Sequence, residues 1–117
     1  MENLEIYQKM ADLKRKHGCT GTILVSEDGK IQVSDVENFT PGPLLSMMCM
    51  AALKASEKIC QQMSFDLPES LLCISNTKRV MLRRAGRRIF VCIYDVNVAK
   101  EELFEAIENF LKELNEA

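Results

Sequence analysis

The chain has 117 residues, of which 47% are hydrophobic and 27% charged, and its formal net charge is -2. This length and composition predict one globular domain over residues 1–117. No apolar run approaches the roughly 20 residues that span a bilayer. The acidic start Met1–Glu5 lacks the basic-then-apolar order of a signal peptide, so we expect a cytoplasmic protein without membrane insertion.

The N-terminal segment predicts an amphipathic helix. Ile6, Met10 and Leu13 recur at helical spacing. Asn3 is the expected N-cap, and Gly18 is the expected stop because glycine favours the left-handed conformation that ends helices. His17 belongs to this helix end, where a cation suits the helix dipole, and we do not interpret it as a catalytic base.

A hairpin follows the first helix. Residues 19–26 have the pattern of a buried strand. The pair Asp28-Gly29 predicts a tight turn, since glycine tolerates positive φ at little cost. Residues 30–35 alternate apolar and polar side chains, which indicates a half-exposed second strand.

A second helix, apolar nearly all the way round, is predicted from Pro43 to about Met63. Between Leu44 and Leu53 only Ser46 is polar. An ordinary surface helix carries one apolar stripe, so a helix of this kind must be covered on more than one side. In so short a chain, we expect the second cover to be another subunit or a partner.

One face of this helix is expected to lie on the sheet. At 100° per residue, that face comprises Leu45, Met48, Ala52, Ala55, Ile59 and Met63. Other apolar side chains should project elsewhere among polar ones, namely Met47, Met50 and Leu53 among Lys54, Glu57 and Gln61. Methionines make adaptable contacts at binding surfaces, and the alternative for these three is that they fill gaps in the core.

Three further strands and a helix complete the chain. The strands are expected at residues 71–75, 79–84 and 89–94, and the last of them is nearly continuous in apolar residues, as a central strand would be. Asn97 is the expected cap of a final helix with an apolar stripe. Ser70–Tyr94 holds six bases and no acid, whereas Asp95–Ala117 holds seven acids and two lysines.

No catalytic or metal-binding motif is present in the sequence. It contains no nucleophile elbow, P-loop or HExxH motif, no CxxC pair and a single histidine. We therefore expect a protein that is not an enzyme and binds no cofactor or metal. The five cysteines are expected to be reduced thiols of the core: Cys19, Cys49, Cys60, Cys73 and Cys92.

Taken together, the elements resemble the roadblock family, the dynein light chain and GTPase-regulator superfamily. The residues that carry the resemblance are Gly18 and Gly21, the strand Ile23–Val25, the Asp28-Gly29 turn, the block Met48–Leu53 and the later hairpin at Gly86. The match covers about Leu4 to Asn97. It implies an α+β fold of order α-β-β-α-β-β-β-α, a five-stranded antiparallel sheet between helices of the roadblock/profilin-like type.

The resemblance also implies a dimer and a partner. Members of the family dimerise through the second helix and third strand, which here gives the interface Met47, Met50, Leu53, Leu71, Leu72, Cys73, Ile74 and Ser75. The partner of such a dimer is a small Ras-like GTPase, another roadblock subunit or dynein intermediate chain, and the dimer is either homo- or heteromeric. The polar residues beside the methionines are the expected partner contacts: Lys54, Glu57, Lys58 and Gln61.

Three functions follow as hypotheses. The first is a non-enzymatic scaffold that binds and regulates a small GTPase. The second is a structural adaptor in a dynein-like motor or membrane-tethering complex, and the third is a small-ligand sensor, which requires a cavity with convergent polar groups. Nucleic acid is not an expected partner, because no aromatic residue interleaves the arginines. Arg87-Arg88 could supply an arginine to a GTPase in trans, but a solvated hairpin tip or docking patch is the favoured interpretation.

Overall fold

The computed structural model describes residues 1–116 and contains the elements in the predicted order. The helices are α1 (Asn3–His17), α2 (Pro43–Gln62) and α3 (Lys100–Glu116). The strands are β1 (Gly21–Val25), β2 (Ile31–Val36), β3 (Ser70–Ile74), β4 (Lys78–Ala85) and β5 (Arg88–Asp95). The predicted α+β class and element order are confirmed, and Ala117 lies outside the described residues.

The strands form one antiparallel sheet in the order β2-β1-β5-β4-β3. β5 lies at the centre, and its residues Ile89–Cys92 are all buried, as the continuous apolar run predicted. β2 and β3 are the two edges of the sheet. The predicted five-stranded antiparallel sheet is therefore confirmed.

Helices cover both faces of this sheet. α1 and α3 pack on one face around Phe90, whose ring centroid lies 5.3 Å from that of Phe110. α2 packs on the opposite face, where Leu53 contacts the core with Ile23 and Val91. The sheet thus lies between two helical layers. In the layer formed by α2, the helix side that points away from the sheet is farthest from the core.

The predicted stop of the first helix at Gly18 is confirmed, whereas the two predicted N-caps are wrong. Gly18 ends α1 with φ 72°, and its N–H donates to the carbonyl of Lys14. Asn3 is the first helical residue instead of the cap, and its side chain accepts a hydrogen bond from Gln32 Nε2 at 3.0 Å. Asn97 lies in a turn before α3, which begins at Lys100. For Asn3, the contact with β2 replaces the capping role that local propensity predicts.

The five thiols divide into a buried and an accessible group. Cys19, Cys49 and Cys92 are buried, whereas Cys60 is half-buried and Cys73 is exposed, so the prediction of five core thiols is wrong for Cys73. It lies on edge strand β3, where no further strand covers it. A hydrogen bond with the Cys19 thiol, together with burial, raises the pKa of Cys92, and burial raises the pKa of Cys49.

We expect the buried thiols Cys19 and Cys92 to resist modification in the folded protein. The thiolate is the reactive form, and for Cys92 a raised pKa adds to steric protection. Titration with Ellman's reagent should leave Cys19 and Cys92 unmodified until denaturant is added. Rapid labelling of Cys92 in the native protein, located by peptide mass spectrometry, would contradict this burial.

Candidate functional site

Two polar contacts, in addition to hydrophobic packing, fix the position of α2 on the sheet. The Ser46 hydroxyl, fully buried, donates to the carbonyl of Gly29 at 2.7 Å. Farther along the helix, the Arg84 guanidinium donates to both oxygens of Glu57, at 2.8 and 3.1 Å. The first contact holds α2 to the β1–β2 turn and the second holds it to β4, so the one polar residue of the apolar segment has a structural role.

The predicted sheet-facing side of α2 is wrong. Ser46, Cys49 and Leu53 are the buried residues of this helix, whereas Met48 and Ile59 are 59% and 57% exposed. Of the other residues on the predicted face, Leu45 and Ala52 are half-buried, and Ala55 and Met63 are exposed. Both sides of the helix are apolar, so hydrophobic periodicity could not say which one faces inward.

The exposed side of α2 is a continuous apolar stripe, here named the outer stripe. It is formed by Leu44, Met47, Met48, Ala51, Ala55 and Ile59, all of which are exposed. Their spacing of three or four residues puts them on one helix face. The sequence carried this signal, but our prediction assigned Met48, Ala55 and Ile59 to the core.

One of the predicted interface residues is misplaced, and a second is only partly accessible. Leu53 is 1% exposed and lies in the core of its own chain, so it has no surface to offer a partner. Met50 is half-buried and packs against the same core. Met47, by contrast, is 62% exposed and belongs to the outer stripe.

The edge strand β3 presents the second part of the predicted interface. Leu72 and Ile74 are 42% and 68% exposed, and Cys73 and Ser75 are also exposed. Leu71 is half-buried against the α2-side core. β3 contains no charged residue and no proline, and these are the devices that usually keep an edge strand from pairing with another chain.

The other edge, β2, is better protected. Its Asp35 accepts a hydrogen bond from Lys14 of α1 at 3.0 Å. The ladder between β1 and β2 also shifts register between Leu24 and Val25. Charge and irregular pairing both disfavour addition of a strand, so β3 is the edge more suited to pairing.

Three of the four predicted partner contacts are exposed, and the fourth is engaged in an ion pair. Lys54, Lys58 and Gln61 are exposed on α2. The Glu57 side chain is 20% exposed and engaged with Arg84. Because a bidentate arginine–carboxylate pair fixes the geometry of both groups, reversing the charge of Glu57 would disturb the attachment of α2 as well as any partner.

The basic segment of β4 and β5 is offset by acids from elsewhere in the chain. Arg83 pairs with Glu108 of α3, and Lys78 pairs with Asp95 at the end of β5. At the β4–β5 turn, Arg87 lies 3.2 Å from Glu27, with its side chain 83% exposed. With the pair of Arg84 and Glu57, four of the six bases of this segment thus have acidic partners within the chain, and exposed pairs contribute little stability.

Residues 1–116 contain neither a metal-binding cluster nor a membrane-spanning helix. Within residues 1–116, His, Cys, Asp and Glu side chains form no group of three or more that could hold a metal ion. None of the described helices combines the length and the apolar character needed to cross a bilayer.

Comparison with known proteins gives structural likeness without sequence likeness. No family model and no curated sequence matches the chain. Among solved structures, MglB from Myxococcus xanthus superposes with a TM-score of 0.88 at 14% identity, covering 98% of this chain and 88% of that one. A structure of MglB in a tetrameric arrangement gives 0.83 at 10% identity, with 97% and 88% covered. A Roadblock/LC7 domain from Streptomyces avermitilis gives 0.81 at 11% identity, with 92% of each chain covered. The resemblance inferred from the sequence is confirmed at the level of fold, and this chain has the roadblock fold.

Proposed function

We propose that this chain is a non-enzymatic dimeric scaffold that binds and regulates a small Ras-like GTPase through the surface of α2. The observation that carries the proposal is the outer stripe, an apolar helix face exposed to solvent, together with the uncovered sheet edge β3. An apolar face of this extent marks an interaction site in a small domain. The roadblock fold supports the choice of partner, since the sequence resemblance implies small GTPases for that family.

In this proposal, a second copy of the chain covers β3 and part of the outer stripe. Pairing of two β3 strands across a two-fold axis would extend the sheet and remove its exposed edge. The small side chains of Ala51 and Ala55 let two α2 helices approach closely. Structures of the same fold support this reading, since one of them contains MglB in a tetrameric arrangement.

The GTPase would then meet the polar side of α2. Lys54, Lys58 and Gln61 border the outer stripe, and an apolar centre with a polar rim is the usual anatomy of a protein interface. A regulator must bind the two nucleotide states of its GTPase with different affinity, because a ligand shifts an equilibrium only by its differential affinity. Nucleotide-dependent binding is therefore the property to measure.

Reversal of the Lys58 charge is expected to weaken GTPase binding about tenfold, or 1.4 kcal/mol. Lys58 is exposed, so its replacement should leave the fold intact. The measurement is calorimetry of wild-type protein and Lys58→Glu with a purified Ras-like GTPase from the same genome, loaded with GDP or a non-hydrolysable GTP analogue. Lys112→Glu is the matched control, since it makes the same charge change on α3, across the sheet.

The outcomes separate the hypotheses. Different affinities in the two nucleotide states, reduced by Lys58→Glu and unchanged by Lys112→Glu, would support regulation through α2. Equal affinity in both states would favour the structural-adaptor alternative. Undetectable binding in both states would contradict a GTPase partner, and equal effects of the two variants would contradict the choice of face.

A further inference from the structure

A mostly apolar cavity opens on the α2 side of the sheet, apart from the surfaces described above. Its volume is about 380 Å³. The floor is formed by the buried side chains of Ile23 and Val91, and the walls include Val80 and Ile93. Phe39, in the connector before α2, also lines the cavity and is 49% exposed.

The cavity exists because α2 covers only one end of the sheet. The hydrogen bond from Ser46 to Gly29 and the ion pair of Glu57 with Arg84 hold the helix toward the β1–β2 and β4–β5 turns. Thr20 and Lys78, at the opposite ends of their strands, line the cavity, and α2 reaches it at Leu45 and Cys49. The opening therefore follows from where α2 is anchored.

The charged groups at the mouth are already paired within the chain. Lys78 is bound to Asp95, and Glu37 lies 3.7 Å from Lys14. The Thr20 hydroxyl donates to the carbonyl of Ile93 at 3.3 Å. An uncharged ligand leaves these pairs in place and contacts the apolar side chains that line the cavity.

We propose that this cavity binds a small uncharged apolar molecule of one or two rings. Its volume lies at the low end of the range for small-molecule sites, and an apolar cavity of about 150 Å³ is enough for benzene. Cys49 lines the cavity, and burial raises its thiol pKa, which agrees with a poorly hydrated wall. This site does not depend on the GTPase proposal. It also differs from the small-ligand sensor hypothesised from the sequence, because that sensor requires polar groups that converge within the cavity.

Indole, a neutral two-ring compound, is the probe for the test. Amide chemical shifts of the wild-type protein are followed by NMR as indole is added. We expect saturable changes at Ile23, Val80, Val91 and Ile93. Val80→Phe, which places a ring in the cavity, should weaken binding at least tenfold. Val96→Phe makes the same change at an exposed site outside the cavity and should leave the affinity within twofold.

Each result decides the proposal. Should circular dichroism show that Val80→Phe does not fold, Ile93→Phe fills the same space and replaces it. Non-saturable shifts, or shifts centred on Leu44, Met48 and Ile59, would overturn the proposal. It would also be overturned if indole affinity fell as protein concentration rose, because a second copy of the chain would then occupy the cavity.

Discussion

Replacing Ala51 with glutamate is expected to convert a dimer of this chain into a monomer. Ala51 lies near the middle of the outer stripe, where a second α2 would pack most closely. A carboxylate buried there loses its hydration, and this cost exceeds the gain even if Lys54, three residues along the helix, pairs with it. Because Ala51 is exposed in the single chain, the substitution should leave the fold of each subunit unchanged.

Sedimentation equilibrium measures this effect directly. Wild-type protein should sediment as a dimer of 13.3 kDa chains at micromolar concentration, and Ala51→Glu as a monomer. Leu4→Glu is the control, since it adds the same charge at a leucine 68% exposed on α1, on the other side of the sheet. A wild-type monomer, or equal dissociation by both variants, would contradict the proposed interface.

Leu53→Ala is expected to destabilise the chain by about 3 kcal/mol. Leu53 is fully buried between α2 and the sheet, so truncation removes apolar contacts and leaves a cavity. Ile59→Ala is the matched control on the same helix, because Ile59 is 57% exposed and should change the free energy of unfolding by less than about 0.5 kcal/mol.

Both substitutions are best measured by urea unfolding in the Ala51→Glu chain. Dimer formation adds to the apparent free energy of unfolding. In the wild-type chain, the effect of Ile59→Ala would therefore include any contribution of Ile59 to the dimer. A larger loss for Ile59→Ala than for Leu53→Ala would mean that α2 lies on the sheet with the opposite face. That result would restore the orientation expected from the sequence and remove the outer stripe.

The element order was predictable because its signals are local. Gly18 adopts the left-handed conformation expected of a helix stop. Gly29 has φ 86° in the turn where Asp28-Gly29 predicted a hairpin. The apolar run of β5 placed that strand at the centre of the sheet. These features depend on neighbouring residues, so one sequence suffices to identify them.

The orientation of α2 was not predictable in the same way. Its two faces are both apolar, and the choice between them is made by partners distant in sequence. Ser46 contacts Gly29, and Glu57 contacts Arg84, 27 positions away. A serine within an apolar helix was the one available sign that this position faces inward, because a buried hydroxyl needs an acceptor.

The exposure of the predicted interface residues was predictable only in part, for the same reason. β3 and the three exposed polar residues of α2 lie where expected, since their exposure follows from the strand order and the helix spacing. Leu53 and Glu57 do not, because one is in the core and the other is bound to Arg84. The cavity was not predictable, since it results from where α2 stops covering the sheet.

The claim on which the proposed function rests is that a second copy of the chain covers β3 and part of the outer stripe, and amide hydrogen exchange of β3 tests it most directly. In an antiparallel edge strand, alternate amides point away from the neighbouring strand and have no partner in the single chain. We predict that these amides within Ser70–Ile74 become protected as wild-type concentration rises and stay unprotected in Ala51→Glu. Exchange at the rate of a free peptide at every concentration of the wild-type protein would contradict the account.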